Sequence, residues 1–441
     1  MARVHVIGGG LAGLAAAVRI AAAGEAVTLY EATGRAGGRC RSFHDRTLGA
    51  VIDNGNHLLL SGNRSARAYL DAIGAGDRLA GPAEAAFPFV DLASGERWEL
   101  RLGDGPIPWW IFDPRRRVPG TRARHYLAAL RLLSASRETT VAAALGGSGA
   151  LYRRFWEPLA VAALNTPPEV AAAALLRPVL CETFARGGAH CRPLIARESL
   201  AHSFVDPALE TLRGQGAVVR FHARLSALEF REGHVSAMKI GEERVALDAG
   251  ERIVLAVPAH IARTLVPGLA VPAEGEAIVN VHYRLPKAQH AGVRIMGLIG
   301  GLAEWLFLRG EIASVTISAA DHVAARPARA IAADCWRDVG RALGIDPATP
   351  LPRHRVIKEK RATFVATPQS LARRPDVRTA WDNLFLAGDW TATGLPATIE
   401  SAVRSGHKAA EHVLAPGRGA GPRAARRRPD SSIVNAGAHK P

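Results

Sequence analysis

The first thirty-one residues leave few folds open to this chain. An apolar run, Val4-His5-Val6-Ile7, breaks into Gly8-Gly9-Gly10-Leu11-Ala12-Gly13. An Ala/Leu-rich segment then runs to about Ala23 and stops at Gly24, and a second apolar run, Ala26 to Tyr30, ends in Glu31. Two short β-type runs joined by a helical stretch of this length predict parallel strands with a crossover helix. Each residue type has a job in such a unit. Gly8 allows the tight turn, Gly10 lets the backbone approach a diphosphate, and Gly13 permits close packing of helix on strand. Leu11 and Ala12 open the helix, whose first N–H groups lack intrahelical partners and suit an anion. Glu31, followed by Ala32, is placed to accept hydrogen bonds from a ribose hydroxyl. Glycines alone also mark ordinary turns, so it is the complete frame of strand, turn, helix, strand and acid that points to a dinucleotide.

The continuation, Gly34-Arg35-Ala36-Gly37-Gly38-Arg39, is either a basic surface loop or a loop that folds back over a bound diphosphate through Arg35, Gly37, Gly38 and Arg39. In this place it resembles the GG-R motif of the flavin-dependent amine oxidase and carotenoid desaturase superfamily. That resemblance implies FAD, and an α/β fold in which a Rossmann-type FAD-binding domain is interleaved with an α+β substrate domain. It also brings Asn54, Gly55 and Asn56 near the flavin, with His57 beside the isoalloxazine. From the residues themselves, Asp53 to His57 reads equally well as a turn with Asn54 and Gly55 at positive φ. The same resemblance assigns backbone contacts to Val219 and Val257. At the C-terminal end, a strand closing in Gly388-Asp389 and a helix start at Pro396-Ala397-Thr398-Ile399 supply a carboxylate and free N–H groups to the same cofactor.

A chain of 441 residues exceeds one ordinary core, so two intertwined domains are expected. The FAD-binding domain is read over 1–75, 201–268 and 370–414, the substrate domain over 76–200 and 269–369, and a basic, disordered tail over 415–441. The formal net charge is +16, and part of that excess lies in the Arg-rich tail. No nucleic-acid fold signature accompanies it, so nucleic acid is not an expected partner. The four cysteines are widely spaced, without CxxC or metal-ligand spacing, which suggests reduced structural thiols, no metal site and a cytoplasmic setting. The chain enters its first strand within a few residues of Met1, with no signal peptide before it, and no run of about eighteen apolar residues predicts a membrane span. Membrane contact at the inner face of the cytoplasmic membrane would therefore be peripheral.

Within the substrate domain, Pro106-Ile107-Pro108-Trp109-Trp110-Ile111-Phe112 precedes Arg115-Arg116-Arg117. This is either a loop that meets lipid, together with the basic tail, or one packed on the core beside a solvated arginine cluster. Helices are expected near 126–134, 137–145, 151–164 and 168–186, forming the wall of an apolar pocket with Asn165 and Thr166 among its few polar groups. An ordinary capped helix pair explains the same two residues. Strands near 277–285, 293–299 and 312–318 and a helix over 323–343 should floor the pocket.

Three observations narrow the chemistry. A second dinucleotide frame is absent. No tyrosine follows Tyr283, whereas the amine oxidases place one shortly before the C-terminal motif, so an amine substrate is disfavoured. Finally, WEPLAVAALNTPP (156–168), EKRATFVATP (359–368) and LAGDWTATGLPATIESAVRSG (386–406) resemble the squalene-associated flavoproteins of bacterial hopanoid synthesis, the hydroxysqualene dehydroxylases. What this implies is a long apolar isoprenoid substrate, squalene-pathway enzymes as neighbours, and reductive loss of a hydroxyl with hydride from reduced flavin. Such a site needs an acid or hydrogen-bonder at the leaving oxygen, for which His57 is the candidate, with Asn165 and Thr166 beside it. A carotenoid-type desaturase, or a non-catalytic flavoprotein partner, fits the same fold.

Overall fold

The computed structural model describes residues 3–288 and 292–415, so the basic tail lies outside the described residues beyond Ala415. Five parallel strands form the first sheet, in the order Val218–Arg220, Val27–Tyr30, Val4–Ile7, Arg252–Leu255 and Leu384–Leu386. Val4–Ile7 and Val27–Tyr30 are buried throughout, as expected of parallel strands covered on both faces. The helix Leu11–Ala22 makes the crossover between them, and the closing helix Ile399–Leu414 packs against it. A Cβ on Gly406 would stand 2.2 Å from the Ala12 carbonyl oxygen, so the two helices touch backbone to backbone at that glycine.

The second sheet has seven strands, ordered His354–Glu359, Ile278–Arg284, Ile312–Ile317, Trp305–Arg309, Val293–Ile299, Ala86–Asp91 and Arg97–Arg101. Its pairs are antiparallel except Val293–Ile299 with Ala86–Asp91, where two segments remote in sequence meet. The period of two sorts its faces. Val279, Val281, Tyr283, Val315 and Leu306 pack with Ile331, Cys335 and Trp336 of the helix Ala328–Leu343. On the opposite face, register sets Asn280 against Thr316, His282 against Ser314 and Ser314 against Phe307.

The helical layer is more broken than the sequence pattern suggests. α-Helix covers Ala128–Leu133, Val141–Leu145, Glu157–Leu164 and Ala173–Glu182, and a π-helical turn, Tyr152–Trp156, runs directly into the third, so the helix expected over 151–164 is continuous. Thr140 explains one boundary: its hydroxyl accepts the Ala143 N–H at 3.3 Å and starts the second helix four residues later than expected. Leu132, Phe155, Trp156, Leu164 and Leu176 of this layer share one apolar cluster with Phe89 and Trp98 of the sheet. The strand Trp305–Arg309, absent from the expected elements, supplies the centre of that sheet.

Candidate active site

At the end of the first strand Gly8 takes φ +108°, and a Cβ there would lie 2.5 Å from the Ala256 carbonyl oxygen. A Cβ on Gly13 would fall 1.9 Å from the Gly8 carbonyl oxygen. Both glycines are therefore compelled by backbone approach. Gly10 differs, because a Cβ there would meet no protein atom within 4 Å. It opens onto space ahead of the buried first turn at Leu11 and Ala12, and no side chain caps that helix. The uncapped N–H groups are what a diphosphate would bind.

The arginine loop folds back onto this turn. Gly37, at φ +106°, donates its N–H to the Gly9 carbonyl at 2.7 Å, and Gly10 bridges Gly37 in parallel. Gly38 and Arg39 follow in a single 3-10 turn, while Arg35 stays exposed and Ala32 half-buried. Glu31 is held in place by the N–H of Gly9 at 2.9 Å and by both the N–H and hydroxyl of Thr33 at 2.8 Å. Its carboxylate is fixed in orientation and retains acceptor capacity for a diol.

Arg39 spans the cleft: its guanidinium pairs with Asp389 at 2.7 Å and also donates to the Ala362 carbonyl. The charge of Asp389 raises the Arg39 pKa, so the guanidinium stays charged. The N-terminal and C-terminal motifs are thus tied by a charge-assisted bond across 350 residues. Gly388, at φ +145°, leaves room for the Trp390 indole, whose N–H reaches the Val257 carbonyl at 2.9 Å. Val219 pairs with Leu29 at the sheet edge. Pro396 and Ala397 lead into Thr398, whose hydroxyl caps the closing helix by accepting the Ser401 N–H at 3.2 Å, with Ile399 at its first position.

Arg374 is a residue that sequence reasoning missed. It is 7% exposed and donates to the carbonyls of Leu395 at 2.7 Å and Asp389 at 2.9 Å and to the Thr393 hydroxyl at 3.0 Å. One buried guanidinium therefore organises the Gly388–Pro396 loop, and it also lies 4.8 Å over the Phe364 ring. Burial lowers its pKa to about 10, which leaves it charged at neutral pH.

Against the seven-stranded sheet lies a small cavity of about 30 Å³, lined by Asp53, Asn56, His57, Phe307, Arg309 and Ser314 together with apolar residues. Most of its polar groups are paired within the protein. Asp53 accepts from Ser42 at 2.6 Å, from the Leu200 N–H at 2.9 Å and from Arg309 at 2.9 Å. Ser314 meets His282 at 2.6 Å. The Asn56 amide donates to Thr316 at 3.0 Å and Asn280 at 3.4 Å, and Asn54 donates to Glu359 at 3.1 Å. The side chains of Asn54 and Asn56 thus brace the seven-stranded sheet, and Gly55 packs against Asn280 between them.

His57 has no hydrogen-bond partner among the described residues. Burial, helped by the Arg39 charge and opposed by Asp53, lowers its pKa to about 4. It is a neutral imidazole at pH 7, with one donor and one acceptor to offer. The structure gives Asn165 and Thr166 a different part. Asn165, at φ +46°, spends both amide hydrogens on the Glu276 carbonyl at 2.9 Å and the Thr363 hydroxyl at 3.0 Å, and accepts the Ala319 N–H at 2.7 Å. Thr166 donates to the Leu164 carbonyl at 3.1 Å and accepts the Ala366 N–H at 3.0 Å. Their donors are committed within the protein, and the Asn165–Thr363 and Ala366–Thr166 bonds clamp the 156–168 and 359–368 segments together. At the head of the strand that carries Phe307 and Arg309 into the cavity, Glu304 accepts the Ser318 N–H at 3.0 Å, and burial raises its pKa to about 7.

Open Gly10, the uncapped helix, the fixed Glu31 and the bridged Arg39–Asp389 pair fit FAD. The chain matches the flavin containing amine oxidoreductase model over residues 11–414 and belongs to that family, whose cofactor is FAD. Cyclohexylamine oxidase from Brevibacterium oxydans has the same fold, with a TM-score of 0.68 at 17% identity over 93% of this chain and 98% of that one. Within the family the chain belongs with the hydroxysqualene dehydroxylases: those of Zymomonas mobilis and Rhodopseudomonas palustris are 45% and 47% identical, over 94% of this chain and 99% of theirs. A probable zeta-carotene desaturase of Synechococcus elongatus is 23% identical over 93% of this chain and 98% of its own.

Proposed function

We propose that the protein converts hydroxysqualene to squalene by reductive dehydroxylation. When bound, reduced FAD supplies the hydride that replaces the hydroxyl, which leaves with a proton as water, so that flavin is oxidised and the carbinol carbon reduced. The observation that carries the site assignment is the unpaired His57 in a cavity whose other polar side chains already have partners. As a neutral imidazole, His57 donates one hydrogen bond to the leaving oxygen and orients it; it does not hold the proton as an imidazolium. The apolar side chains that line the cavity, Ile195, Leu200, Val293, Phe307 and Leu308 among them, exclude water from the developing cation.

The desaturase reading would run electrons in the opposite direction, and the low identity to the desaturase disfavours it. The deciding experiment is anaerobic: reduce the enzyme-bound flavin, add hydroxysqualene, follow the return of oxidised-flavin absorbance and identify the product. Reoxidation with squalene formed supports the proposal, whereas reduced flavin that persists, with oxidised enzyme bleached by a polyene precursor, rejects it. His57→Ala should slow single-turnover reoxidation by about a hundredfold without loss of FAD; an unchanged rate removes His57 from the mechanism. We place this work in the cytoplasm, at the inner membrane face and beside squalene-pathway enzymes, because the substrate is a lipid; among the described residues no helix is long and apolar enough to cross a membrane.

A further inference from the structure

Nine large hydrophobic side chains stand exposed among the described residues, and six of them fall within residues 107–133. We propose that Ile107, Trp109, Phe112, Leu127, Leu130 and Leu133 form the face on which the protein rests on an anionic lipid bilayer. Their exposures run from 40% for Leu133 to 69% for Trp109; exposed singly such side chains are ordinary, and it is their concentration in one short stretch that marks an interaction face.

The elements that carry them are held together. The 3-10 turn Trp109–Phe112 puts the Trp109 and Phe112 rings 6.2 Å apart at its tip. Trp110 turns inward and meets Tyr126 edge-on at 5.3 Å, which fastens this turn to the next one, Ala123–Leu127. The expectation of a paired Trp109-Trp110 contact is thereby narrowed to Trp109. From Leu127 the chain continues into the helix Ala128–Leu133, where spacing by three sets Leu127, Leu130 and Leu133 along one outward side while Tyr126 and Leu132 are buried.

Charge selects the partner. Residues 106–133 hold six arginines against one aspartate, and Arg115, Arg122, Arg124 and Arg131 are exposed beside the apolar tips. Isolated apolar tips among cations suit headgroup phosphates and the acyl boundary beneath them, with an indole at the interface. A protein partner would instead call for a continuous apolar centre with charge moved to the rim. On their inner side the same elements contribute Tyr126 and Leu132 to the cluster that contains Phe89, Trp98 and Trp156, so the docking face backs the apolar layer of the substrate domain.

The proposal rests on surface observations, and its test needs no turnover. Trp109 is the one exposed tryptophan of the eight. With the full-length holoenzyme and phosphatidylglycerol-rich vesicles containing brominated lipid, wild-type fluorescence should be quenched. Trp109→Phe should still bind while losing most of that quenching. Trp109→Ala with Phe112→Ala should lower vesicle affinity by about a hundredfold, leaving the basic tail unchanged. Undiminished binding by the double variant, or quenching that survives Trp109→Phe, overturns the proposal. So does failure to bind vesicles coupled to a concentration-dependent dimer that the double variant abolishes, because a second copy then covers the face.

Discussion

Replacing Gly406 with Ala tests how the cofactor fold is held together, at a point that carries no chemistry. The added methyl would sit 2.2 Å from the Ala12 carbonyl oxygen and 3.0 Å from the Ala16 nitrogen, both backbone atoms of the crossover helix. The first distance is more than 1 Å inside ordinary contact, and no side chain can rotate away to relieve it, so the helices must separate. Overpacking of this kind costs about 1–3 kcal/mol, and a backbone-to-backbone contact belongs at the upper end. Gly214 provides the control: it ends the helix Asp206–Gly214, and a Cβ there meets nothing within 4 Å. Gly214→Ala should leave stability unchanged or raise it by about 0.4–1 kcal/mol through the unfolded chain. Urea unfolding of the FAD-depleted protein measures both, and the flavin absorbance retained after gel filtration reports whether displacement reaches the first turn at Gly10. Two variants of equal stability would refute the reasoning, because the same chemical change must then be insensitive to the approach of the helices.

Other outcomes follow from the same geometry. Arg374→Ala should cost about 3–5 kcal/mol and release FAD, because the Leu395 and Asp389 carbonyls and the Thr393 hydroxyl lose their buried charged donor; thermal unfolding with flavin release checks it. Asp389→Asn should weaken FAD retention by about tenfold or more by unpairing Arg39, whereas Arg35→Ala, at an exposed position, should matter less in the same gel-filtration assay. His282 is 1% exposed and burial lowers its pKa from 6.5 to about 4. The unfolded chain therefore binds more protons between these values; the contribution is intact above about pH 6.5 and is lost as pH falls towards 4, by about 3 kcal/mol at most. His282→Gln should flatten the stability profile in that window, and a profile identical to wild type would contradict the assignment.

Much of the cofactor fold was legible in the chain because its constraints are local. A strand, a turn that admits only glycine at Gly8, a helix start and an acid lie within one crossover unit, and the register that joins Val4 to Val27 follows from that connection. The Gly388-Asp389 strand end is legible for the same reason. What the sequence could not decide was where side chains spend their hydrogen bonds. Asn165 and Thr166 read as pocket residues or as caps, and only the approach of Thr363, Ala366 and Ala319 from remote segments commits an Asn165 donor and the acceptor oxygens of both to structure. His57 could be an acid or a turn residue until burial and the Arg39 charge made it neutral. Arg374 carries no local pattern at all; its importance comes from four acceptors that assemble around it in the folded loop. The adjacent tryptophans are alike in sequence, yet packing on Tyr126 leaves Trp110 half-buried while Trp109 stands in solvent. Periodicity and glycine placement act over a few residues, so the chain alone determined the FAD frame, while pairing, desolvation and exposure depend on atoms hundreds of residues apart and were decided by the tertiary structure.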